Sequence, residues 1–136
     1  MKPTSAQLVA MSTYFLGHFA SGYGGTTRHT GCITYSMGTH SESGGRMIAY
    51  TQLVCVSCPM TTGTGETVPF EERTTPVVFR LRGSAVTSAQ ADTESGNPMF
   101  GNVITEIFPA SLRTSAADQV PHVTALMQIA AARGGC

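Results

Sequence analysis

Cys55-Val56-Ser57-Cys58 has the spacing of a zinc knuckle or of a redox dithiol, and it is the most enzyme-like feature of the chain. A structural zinc takes about four ligands in a tetrahedral array. The other ligands would have to come from Cys32, His40 or Cys136 at irregular separations. In a strand, moreover, residues three apart point to opposite faces. The four histidines His18, His29, His40 and His122 each stand apart from any serine or cysteine held in a nucleophile elbow. Glu71 and Glu72 are neighbours, and adjacent strand residues face opposite ways, so the two carboxyls cannot share one substrate proton. Gly24-Gly25 and Gly63-Thr64-Gly65 lack the Gly-Lys-Ser/Thr continuation that cradles a phosphate and read as turns. These residues predict a chain that is not an enzyme and carries no metal and no cofactor.

The elements that must position these groups are mostly strands. Ser12 to Phe19, followed by a glycine-rich connection, reads as a first strand, and Cys32 to Met37 as its return, which together predict an N-terminal hairpin. Met47 to Cys58 is the longest strand candidate, ended by Pro59, which has no ladder donor. Pro76 to Arg82 has a clean period of two, with Val77, Phe79 and Leu81 on one face and Val78, Arg80 and Arg82 on the other. Gly83 to Pro98 reads as one long polar loop, and Asn102 to Phe108 as a last strand ended by Pro109. From Asp118 to Arg133 the spacing turns helical, with Ser115 or Asp118 as cap. Val120, Val123, Leu126, Met127, Ile129 and Ala130 form its apolar stripe, and Gly134-Gly135 its end.

Composition narrows the class. The 136 residues suit one domain spanning 1–136. With 41% hydrophobic residues the chain can offset the entropy of ordering, so disorder is excluded. Eight basic residues balance eight acidic ones, so any polyanion must be met by a local patch rather than a bulk field. No apolar run approaches the roughly 18 residues needed to span a bilayer, and Met1 to Ala10 lacks a signal-peptide core. The expectation is a cytosolic, unprocessed protein with no membrane partner. Four unevenly spaced cysteines leave the redox state open.

The predicted class is therefore α+β: an antiparallel sheet with an N-terminal hairpin and a C-terminal helix. One helix of about 16 residues, about 24 Å long, cannot cover the apolar face of some six strands. A second copy is the economical cover, which predicts an obligate homodimer, set against a monomeric sandwich.

This order of elements resembles the coat proteins of single-stranded RNA bacteriophages. Ala49 to Cys58 (AYTQLVCVSC) looks like that family's central strand. Val103 to Met127 (VITEIFPASLRTSAADQVPHVTALM) is similar to its last strand, turn and helix. The chain departs from the family by stopping at Arg133-Gly134-Gly135-Cys136, where a second short helix is usual. The resemblance implies interlocked dimers that close into an icosahedral shell, assembled in a bacterial cytoplasm and found in the virion. Their helices would lie outside and the joined sheet inside, with 83–98 at the symmetry axes. It also implies an inner sheet face that contacts RNA through Thr51, Leu53, Cys55 and Ser57, with Arg80 and Arg82 on the next strand. Leu53 and Cys55 stand where polar groups are usual, which leaves Thr51, Ser57, Arg80 and Arg82 as the RNA-binding candidates. Two guanidinium groups on one strand face can reach phosphates, and the one-strand row lacks the hydroxyl and cationic groups that would read bases, so general RNA contact is expected rather than a cognate hairpin. The alternative is a small β-rich binding module, secreted or metal-linked and organised around Cys55 and Cys58.

Overall fold

The computed structural model describes residues 2–19, 28–59, 71–91, 108–109 and 122–135. The chain opens with a helix, not a strand: α1 runs Ser5–Phe19. Thr4 and Gln7 close a capping box at its start. The Gln7 amide donates to Thr4 Oγ1 at 3.1 Å, and the Thr4 amide donates to Gln7 Oε1 at 2.9 Å. Met11, Phe15 and Phe19 then recur every four residues, which is helical spacing. The segment STYFLGHF, expected as a strand over 12–19, does carry the β-forming Thr13, Tyr14 and Phe15. Tertiary burial of one helical stripe outweighs that preference.

Four strands follow, β1 (Arg28–Glu42), β2 (Arg46–Pro59), β3 (Glu71–Arg82) and β4 (Ala85–Ala91), and the chain ends in α2 (Val123–Arg133). They form one antiparallel sheet in the order β1-β2-β3-β4. The expected hairpin of 12–19 with 32–37 is thus replaced by a hairpin of β1 with β2, joined through Ser43–Gly45. Gly44 and Gly45 there take φ of 75° and 72°, a region glycine enters without steric cost. Gly83-Ser84 turns β3 into β4, so the first half of the predicted long loop is strand. The rest of that loop, at 92–98, lies outside the described residues. The expected strand 102–108 also lies outside them, apart from Phe108. The caps Ser115 and Asp118, with Val120, do so too, and the described helix starts at Val123.

Two layers of cover come from the chain itself. On one face, Met11 and Phe15 of α1 pack with Cys32, Ala49, Leu53, Cys55, Val77, Phe79 and Leu81. The hydroxyls of Ser12 and Thr34 meet at 2.7 Å inside this layer, so two buried polar groups satisfy each other. On the other face α2 lies over β1 and β2, where Val54 and Val56 are buried. Phe108 packs there against Met37, Tyr50 and Val78. The premise that a single helix leaves the sheet bare therefore fails, because α1 supplies the missing layer. With it goes the ground for making the homodimer obligate.

Candidate functional site

Strand register decides which of the expected RNA-contacting residues meet. Thr51 pairs with Val77 and Ala49 with Phe79, so the odd-numbered residues of β2 share the α1 face with the odd-numbered residues of β3. Thr51 is 0% exposed and its Oγ1 donates to the Val77 carbonyl at 2.8 Å. Ser57 is 1% exposed and its hydroxyl lies 2.8 Å from that of Thr30. Arg80 and Arg82 stand on the opposite face. The four candidates are not one site: two are sealed within the sheet, and two are exposed on the other side.

The arginines do gain a companion that the chain pattern did not mark. Arg46 opens β2 directly opposite Arg82, and Glu42 ends β1 directly opposite Arg46, so Glu42, Arg46 and Arg82 form a row across three strands. Arg80 lies two residues before Arg82 on the same face. Its Nη1 is 3.7 Å from Glu42 Oε1, with the two side chains 58% and 41% exposed. A pair so wet contributes at most about 1 kcal/mol and yields readily to another anion. These residues line a cleft of about 340 Å³ together with Met47, Leu81 and Thr87. Thr87 is the bulged residue of β4, and its hydroxyl donates to the Arg80 carbonyl at 3.1 Å.

Among the described residues, three of the chain's eight cations thus meet one carboxylate at one end of the sheet, a local excess of two positive charges in a chain of zero net charge. Like charges directly opposite on neighbouring strands destabilise a sheet unless a counterion joins them. Guanidinium groups present planar forks that fit phosphate oxygens two at a time. The cleft can therefore hold a phosphate or carboxylate. The sequence signal for Arg46 was its place after the Ser43–Gly45 turn, opposite the end of the arginine-bearing strand, but only the β2–β3 register makes that a contact.

The cysteines form a different set. Cys55 is bonded to Cys32 across the β1–β2 pair, not to Cys58. Cys58 is disulfide-bonded as well. A bond between Cys55 and Cys58 themselves is not formed: the two cysteines point to opposite faces of β2, and register places Cys32, not Cys58, beside Cys55. A sulfur held in a disulfide is not a thiolate, so neither cysteine offers a metal the ligand it needs. Among the described residues no helix is long and apolar enough to cross a membrane. Comparison with known proteins finds no family model, no curated protein and no solved structure that matches the chain.

Proposed function

We propose that this chain is a structural protein, the subunit of a shell of the RNA-bacteriophage coat type, and that it contacts single-stranded RNA through Arg46, Arg80 and Arg82. The shell is built from homodimers in the bacterial cytoplasm and leaves the cell as the virion. The observation that carries the RNA contact is the convergence of three exposed guanidinium groups on one cleft with, among the described residues, a single carboxylate. The shell reading draws on the resemblance in β2 and the C-terminal segment, and on the antiparallel sheet followed by a helix. Two features set this chain apart from that pattern: its N-terminal helix, and the burial of the row Thr51, Leu53, Cys55 and Ser57, of which Leu53 and Cys55 pack with α1. RNA therefore meets the arginine end of the opposite face.

The test is electron microscopy and light scattering of the expressed protein, with nuclease protection of any RNA it carries. Closed particles holding protected RNA are expected. Monomers or free dimers alone, with or without added RNA, would count decisively against the shell. A second reading is a disulfide-stabilised, anion-binding module, favoured by the Cys32–Cys55 bond and by cover on both sheet faces from the chain's own helices. It predicts that small size together with retained binding to polyanions.

A further inference from the structure

The proposed function makes no use of the Cys32–Cys55 bond, yet the bond sits where the molecule is joined together. Among the described residues β1 is an outer strand of the sheet, and both helices rest on it. α1 reaches it through Phe15 and Met11, in the same cluster as the two sulfurs, and through the Ser12–Thr34 hydroxyl pair. α2 reaches it from the other side. The backbone of Gly31 lies so close to Ala130 and Gly134 that a Cβ on Gly31 would overlap the Ala130 carbonyl oxygen. Arg133 Nη1 then donates to the carbonyl oxygen of Cys32 itself at 3.2 Å. Residues 31–34 are thus the common seat of both helices, and the disulfide ties that seat to β2.

Burial makes the bond hard to reach. Cys32 and Cys55 are 1% and 0% exposed, so the docked α1 hinders a soluble thiol, although Cys32 borders a cavity of about 250 Å³ with Ser12, Leu16 and Arg133. Disulfide exchange needs an open path, because a thiolate must attack one of the sulfurs directly. A reducing cytosol keeps newly made cysteines as thiols. The cross-link must then form before α1 closes over it, or during its transient opening.

We propose that Cys32 and Cys55 form a redox latch that fixes the seat of both helices. As a dithiol the chain keeps its β2–β3 core and holds α1 and α2 loosely, and oxidation locks them down. The oxidant is a low-molecular-weight disulfide. One cysteine thiolate attacks it and releases the first small thiolate, forming a mixed disulfide. The second cysteine attacks the mixed disulfide and releases the other small thiolate. Two protein thiols lose two protons and two electrons, and one small disulfide becomes two thiols. The closed latch then resists reductant until α1 lifts.

The experiment uses the full chain carrying Cys58→Ser, so that the second disulfide does not contribute. Dithiothreitol is added with and without urea below the unfolding midpoint, and free thiols are counted by alkylation and mass spectrometry. Hydrogen exchange follows the amides of 8–19 and 126–134 against those of β2 and β3. Reduction is expected to be at least tenfold slower without urea. Once the chain is reduced, exchange in both helices should rise at least tenfold while the β2–β3 amides stay protected. Glutathione disulfide should restore the helix protection. Equal reduction rates with and without urea would overturn the sealed bond, and helices equally protected in the dithiol would overturn the latch. Should Cys58→Ser fail to fold, the same measurements on the wild-type chain decide. The helices must then loosen in step with alkylation of Cys32 and Cys55, and loosening that follows alkylation of Cys58 overturns the proposal.

Discussion

Gly31 and Arg46 show how much a single residue depends on what stands across from it. Gly134 has an ordinary helical φ of −82°, and glycine is needed there for space rather than torsion, because its backbone meets that of Gly31. Gly31→Ala must push α2 off β1. A loss of about 1–3 kcal/mol is expected, as for overpacking in a closed interior, and chemical denaturation would measure it. An unchanged midpoint would show that the helix shifts without cost. Arg46, Arg80 and Arg82 carry the opposite kind of prediction, since none supports the core. Changing all three to Gln should leave the unfolding midpoint nearly unchanged. It should also lower the slope of log affinity against log salt for single-stranded RNA by about 2, the share of three neutralised phosphates. Binding titrations at several salt concentrations would report it, and a slope equal to that of the wild type would remove the cleft from RNA contact.

Among the elements, α1 has the largest effect on the architecture. It is capped by Thr4 and Gln7, and the Gln7 side-chain amide also donates to the Gly83 carbonyl at 2.8 Å, which ties the helix start to the β3–β4 turn. Its Phe15 is fully buried over the disulfide and stacks on Phe19 at 5.1 Å between ring centroids. Phe15→Ala should therefore cost about 3–5 kcal/mol and expose the latch. The measurement is an unfolding curve of the oxidised protein, and a loss below about 1 kcal/mol would mean that α1 contributes little to the fold. Strands β1 and β4 have a different character. Met37 is a bulged residue in β1, and β4 (AVTSAQA) turns only Val86, Ala89 and Ala91 toward the core, with the bulge at Thr87 interrupting their spacing. Alternation, the usual mark of a half-buried strand, is thus broken by a bulge in both.

For the molecule as a whole, cover on both faces of the sheet changes what assembly has to do. A subunit whose sheet is already flanked by its own helices can fold first and associate afterwards. The unfolding midpoint is accordingly expected to be independent of protein concentration over a hundredfold dilution. An obligate dimer would instead lose stability as it is diluted. A midpoint that climbs with concentration would return the dimer to the folding step itself.

The chain pattern alone determined the features that depend on near neighbours. Val77, Phe79 and Leu81 alternate with exposed Arg80 and Arg82 as expected, β2 covers the predicted 47–58, and the C-terminal helix ends at Gly134-Gly135 with the latter at φ 81°. The Thr4–Gln7 capping box was equally legible, but the aromatic and β-branched residues after it pointed the other way. What only the tertiary structure decided is which face of one strand meets which face of the next. Alternation within a strand is local, whereas register between strands is set by turn lengths and by the bulges at Met37 and Thr87. A shift of one residue exchanges the two faces. That is why Thr51 and Ser57 parted from Arg80 and Arg82, why Arg46 joined the arginines, and why Cys55 found Cys32 rather than Cys58.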